Sequence, residues 1–211
     1  MKRKLCLLAV FLLPTLTVAP YAQEPDKPED VILTTVDKVI ARITAEREML
    51  NAQPERVYAL INDLILPVFD FNTMSRLVLG KKHWKEASAE QRTIFTAEFK
   101  NLLVRTYAKA VLGFSNERVN YLETLTGSKP NVVMVKTEIV SDTSVTPVHY
   151  TMHNNGGGWR VVNVAFEGIS LVETYRKSFA SEIRNNGLET LIQKLVDKND
   201  KLEQSLLADE S

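Results

Sequence analysis

The sequence predicts an α+β fold, with helices packed on one face of a twisted four-stranded antiparallel sheet. Three observations predict it. Apolar residues recur at helical spacing from about residue 30 to residue 114. The period then falls to two between residues 118 and 166, in segments joined by short polar turns. Helical spacing returns from residue 170. A chain of 211 residues, 45% apolar and 25% charged, can bury a core as one domain and is not composed like a disordered chain.

The first residues stand outside that fold. MKRK is a basic start, LCLLAVFLLPTLTV is an apolar run interrupted by Pro14, and APYAQ offers small residues for cleavage. Residues 1–22 therefore read as a secretory signal peptide, cut after Ala22 or, as the alternative, after Ala19. Cys6 stands at the start of the apolar run and not at its end, so it does not mark a lipoprotein attachment site. Removal of the leader leaves no cysteine, hence no disulfide framework. It leaves 23 basic residues against 26 acidic, a net charge near −3. No strong basic field remains to hold nucleic acid, and no later run reaches transmembrane length.

QEPDKPED is a polar lead-in. Val31, Ile32, Val36, Val39, Ile40 and Ile43 mark a helix over residues 30–51. Pro54 suits the first turn of a second helix, which carries Val57, Leu60, Ile61, Leu64 and Ile65 and ends near Pro67. A short third helix over 72–79 stops at Gly80. Ser88-Ala89-Glu90-Gln91 is a capping box, opening a helix with a wide stripe from Phe95, Phe99, Leu102 and Leu103 to Tyr107, Val111 and Phe114. Strands follow at 118–125, 132–140, 146–153 and 159–166, joined by TGSKPN, SDTSV and NNGGG, as in an antiparallel meander. Ser170-Leu171-Val172-Glu173 reads as a second capping box. The closing helix carries Val172, Tyr175, Phe179 and Ile183, breaks at Gly187 and continues through Leu191, Ile192 and Leu195. The last strand is unusual: Val161, Val162, Val164, Ala165 and Phe166 put apolar groups on both faces, where an antiparallel strand normally has one wet face.

Few residues suggest chemistry. His149 and His153 share a strand face, but a metal site needs further ligands, and two half-exposed histidines are the simpler reading. Gly156, Gly157 and Gly158 lack the lysine and hydroxyl residue of a phosphate loop. No serine elbow or mature cysteine nucleophile exists. Glu167 is either a buried proton-transfer acid or, more simply, an acid placed beside a helix N-terminus. The basic cluster KKHWK, residues 81–85, is either an anionic contact or a solvated segment with its tryptophan packed down.

WRVVNVAFEGISLVETYRKSF closely resembles the pattern W-x-V-Y-D-V-x-x-E-G-V-S-L-V-x-x-Y-R-x-x-F of the MlaC family. LVLGKKHWKEASAEQRTIFTAEFKNLLVRTYAKAV is similar to a second block of that family. The resemblance covers nearly the whole mature chain. Asn163 stands where the family usually has aspartate, and Val162 where it has tyrosine. The resemblance implies a periplasmic carrier, residues 23–211 forming a single lipid-binding domain with an apolar pocket between sheet and helices. Its cargo would be a phospholipid, with no cofactor and no enzymatic activity. Its partners would be an outer-membrane lipoprotein–porin complex and an inner-membrane ABC transporter complex with an MCE-domain component, the traffic maintaining outer-membrane lipid asymmetry. Nothing suggests obligate oligomers, so a monomer is expected.

For that pocket the alternation selects Val133, Val135 and Ile139, then Val148, Tyr150 and Met152, with Val162 and Val164. The helices add Leu103, Tyr107, Val172, Tyr175 and Phe179. Each position serves core packing equally well. The alternatives to a phospholipid carrier are an acyl-chain or lipoprotein chaperone, an interaction module with a filled core, and a pocket enzyme using Glu167 with His149.

Overall fold

Pro28 opens helix α1 (Pro28–Ala52), where its missing N–H is harmless and its fixed φ suits the first turn; Glu29 and Asp30 add negative charge at that end. The computed structural model describes residues 27–53, 55–114, 117–127 and 129–208, with side chains as far as Gln204. Residues 1–22, expected from the sequence to be a signal peptide, and Pro54 lie outside the described residues. Helix α2 (Arg56–Leu60) widens into a π-helical turn at Ile61–Ile65, then tightens into a 3-10 turn at Leu66–Val68. Pro67 explains the change, since it offers no amide to a continuing helix and crowds the residue before it.

Asp70 caps helix α3 (Phe71–Glu86): the Thr73 amide and hydroxyl donate to its carboxylate at 2.9 and 2.8 Å. The helix does not stop at Gly80 as the sequence suggests. Gly80 takes φ +74°, which only glycine adopts freely, and the helix resumes beyond this kink. KKHWK is therefore its last turns. Trp84 packs toward the core, with Arg92 over its ring at 5.5 Å and donating to the Trp84 carbonyl at 2.7 Å. The expected capping box starts α4 (Ala89–Leu112), with Ser88 and Gln91 exchanging two 3.0 Å bonds.

The sheet contains strands β1 (Arg118–Thr126), β2 (Val132–Val140), β3 (Val145–Asn154), β4 (Trp159–Phe166) and β5 (Ile169–Ser170), in that spatial order and antiparallel throughout. Five strands therefore replace the expected four among the described residues. The added strand is two residues long, too short for alternation to reveal. Glu167 and Gly168, both at positive φ, make the tight turn before it. Helix α5 (Leu171–Ala208) follows at once, and Gly187, at φ +85°, kinks it.

The start of α5 departs from the expected box. Ser170 Oγ accepts from the Glu173 amide at 3.2 Å, but the second capping partner is Asn163 in place of the Glu173 side chain. Asn163 accepts from Ser170 Oγ at 3.0 Å and from the Val172 amide at 3.1 Å. A residue of β4 thus caps the helix and fixes its angle to the sheet.

A bulge in β4 accounts for its two apolar faces. Thr151 pairs with Asn163 but Met152 pairs with Val161, leaving Val162 as the extra residue. Val161 and Val164 join the apolar cluster between sheet and α1, with Ile32, Val133, Val135, Val148 and Met152. Val162 joins a second cluster built by α3, α4 and α5 around Met74, Phe95, Phe99 and Phe179. A third gathers Val39, Ile43, Leu50, Val57, Leu60 and Ile61 against Ala108.

His153 is buried, not half-exposed, and its Nε2 lies 2.8 Å from Asp70 Oδ2. Beside it the Asp70 amide donates to the Val161 carbonyl at 2.9 Å, so the start of α3 is tied to both β3 and β4. Burial opposes charge on Asp70, but Thr73 and then His153 outweigh it and hold its carboxyl below the usual range. A carboxyl shifted down adds stability above its unfolded pKa and loses it as pH falls through the folded one. Asp70→Asn keeps a capping residue and removes the charge. It should be less stable than the parent by about 1–2 kcal/mol near neutrality, with the difference closing below about pH 4. Urea denaturation across that range measures it.

Candidate functional site

The three clusters do not merge. A cavity of about 240 Å³, open on one side, lies where they meet. One buried water needs only about 10–15 Å³ of such space, and an engineered apolar hole of about 150 Å³ stays dry and takes up benzene. Helix α1 contributes Ile32, Thr35, Val36, Val39 and Ile40 to the wall. The irregular turns after α2 contribute Ile61, Ile65, Leu66 and Val68. Phe69, Phe71 and Met74 come from the start of α3, and Leu103, Val104, Tyr107, Val111 and Phe114 from α4 and its end. The sheet supplies Ile139, Tyr150, Val161, Val164 and Phe166, and α5 supplies Leu171.

No described residue of this wall is charged, and its hydroxyls are already engaged. Thr35 donates to the Val31 carbonyl at 2.7 Å. The Tyr150 phenol faces the Thr137 hydroxyl, which donates to the Val148 carbonyl at 2.8 Å. Tyr107 and Tyr175 face each other. Water inside would find few partners, and an ionic ligand would have nothing to balance its charge. The chemistry offered is dispersion contact and exclusion from water, which suits hydrocarbon.

Of the residues selected from sequence, Leu103, Tyr107, Ile139, Tyr150 and Val164 stand on the wall. Val133, Val135, Val148 and Met152 share the sheet cluster but sit behind the wall. Val162, Val172 and Phe179 lie in the α3–α5 cluster, with Tyr175 packed against it. The bulge turns Val162 away, and the Asn163 cap keeps α5 over those residues. The α1 stripe and residues 57–65 were visible as apolar periodicity, whereas Val68, Phe69 and Phe71 fell between the predicted helices; in either case periodicity does not tell a side chain facing another side chain from one facing a void. His149 pairs across the sheet with Lys136 and Ala165, and Glu167 is exposed at its turn. Neither stands on the cavity wall. Among the described residues no group of His, Cys, Asp and Glu is placed to hold a metal ion.

The sequence model of the MlaC family, described as MlaC protein, matches residues 33–197. The chain belongs to the MlaC family. As an MlaC-family member it is 33% identical over 185 residues to the toluene tolerance protein ttg2D of Pseudomonas putida, covering 87% of this chain and 82% of that one. It is 24% identical over 189 residues to the intermembrane phospholipid transport system binding protein MlaC of Haemophilus influenzae, covering 88% of each. Its fold is similar to the structure of a phospholipid-binding protein from Ralstonia solanacearum in complex with a phospholipid. The TM-score is 0.77 and the identity 27%, over 84% of this chain and 99% of that one.

Burial, partly offset by Thr137, pushes the Tyr150 phenol up to about 12; burial and then Tyr107 push Tyr175 up to about 12 as well. A phenol shifted up contributes stability that is full below its unfolded pKa, near 10, and is lost as pH rises through the folded value. Ultraviolet titration of the folded protein should therefore show these two rings ionising after the exposed phenols. Tyr150→Phe should remove one late ionisation and cost about 1 kcal/mol in denaturant unfolding.

Proposed function

We propose that this protein carries a glycerophospholipid across the periplasm, its acyl chains in the cavity and its headgroup at the open side. The observation that carries the reading is a roomy, uncharged hollow with an almost wholly apolar wall. The phospholipid held by the similar Ralstonia protein and the transport role in the name of the Haemophilus relative support it. The signal peptide expected over residues 1–22 accords with a periplasmic protein, and no described helix is long and apolar enough to cross a membrane. The family relation supports exchange with an outer-membrane lipoprotein–porin complex and an inner-membrane ABC transporter bearing an MCE component, and so a part in outer-membrane asymmetry. This function requires no bond making or breaking, so the protein is read as a carrier and not an enzyme.

The energetics say why a carrier is needed. Two acyl chains hold on the order of 30 methylenes, and exposing them at about 0.8 kcal/mol each would cost over 20 kcal/mol. A wall as apolar as a bilayer interior removes most of that barrier without holding the lipid much tighter than a membrane does. The empty cavity carries its own penalty. At about 24 cal/mol per Å³, 240 Å³ corresponds to as much as 6 kcal/mol, comparable with the net stability of a domain.

Native mass spectrometry of the mature chain purified from cells should show the added mass of one glycerophospholipid. Lipid-free protein that takes up nothing from liposomes would overturn the reading. Val104→Glu and Ile139→Glu, which set a charge in the wall, should lower lipid occupancy at least tenfold while circular dichroism stays unchanged.

A further inference from the structure

We propose that Met74, backed by Leu103, is the stop that sets how long an acyl chain the cavity accepts. The inference rests on the carrier reading above. The cavity has a closed end and an open one, and exposure tells them apart. Phe166 is 40% exposed, whereas Met74 and Val161 are at 0% and Leu103 at 8%. Val161 and Phe166 stand five residues apart on β4, about 16 Å at the rise of a strand, which is comparable with the length of a fatty chain.

Met74 belongs to the Val161 end. The Asp70 amide donates to the Val161 carbonyl at 2.9 Å, and the Met74 amide donates to the Asp70 carbonyl one helical turn later, also at 2.9 Å. Met74 and Leu103 are the buried wall residues that also belong to the α3–α5 cluster. Beyond them lie stacked rings, with Phe95 and Phe99 centred 5.9 Å apart. That aromatic layer does not yield, because interiors are close-packed. The partition in front of it does. Methionine is unbranched, has three rotatable bonds and fills irregular space, so it can settle against chain ends of slightly different reach.

Truncating the stop deepens the cavity toward the aromatic layer, and longer chains gain most. Each methylene brought in from water is worth about fourfold in affinity. The test offers the mature protein vesicles with equal amounts of phosphatidylethanolamines bearing myristoyl, palmitoyl or stearoyl chains, and reads the bound species by native mass spectrometry. Met74→Ala should raise the bound stearoyl-to-palmitoyl ratio about fourfold or more, and the milder Leu103→Val should raise it less. Val57→Ala, a buried position off the cavity wall, should leave the ratio as in the parent. Should Met74→Ala not fold, Leu103→Val alone decides. Normal lipid load with an unaltered ratio in the stop variants, or an equal shift in Val57→Ala, would overturn the stop while sparing the carrier reading. A parent protein that binds none of the three lipids overturns both.

Discussion

Apolar walls in water attract one another, so a protein that keeps a hollow must brace them apart. Here the brace is β4. Its bulge sends Val161 and Val164 to one apolar cluster and Val162 to another. Its Asn163 side chain caps α5, and its Val161 carbonyl receives the amide that precedes α3. Two helices, α3 and α5, are anchored to one strand by directional bonds, which hold their geometry whether or not the space beside them is filled. Hydrophobic packing alone, being non-directional, would let the clusters coalesce.

The order of elements was legible from periodicity, because a change from 3.6 to 2 and back is a property of the local sequence. Pro28, Asp70 and the Ser88 capping box act within a few residues and do what their types suggest. What the sequence hid were events between distant segments. The bulge at Val162 arises from a mismatch with Thr151 and Met152, and no alternation rule contains it. Likewise Asn163 reads as a polar interruption in a greasy strand until α5 is placed beside it. Gly80 reads as a stop because glycine does end helices, yet here it kinks a helix that continues, just as the sequence suggests for the break at Gly187.

The candidate site shows the same division. Residues on β2, β3 and β4 that alternate toward α1 form one apolar face, but only those past the reach of α1's own side chains meet the void. Tyr150 and Val164 do, whereas Val135 and Val148 are covered. A stripe such as Ile32, Val36 and Val39 gives the same signal over a full core and over an empty one. The difference lies in total volume, which depends on all the walls together.

Each hydroxyl on the cavity wall has a polar neighbour within the protein: Thr35 its own helix, Tyr150 the Thr137 hydroxyl, Tyr107 the Tyr175 phenol. A hydrocarbon tail moving through this sleeve has no discrete bond to break at any point along its path. Its motion is a slide over a smooth surface, with resistance spread evenly over every ångström travelled, and the rate of unloading is then governed by what waits outside the mouth.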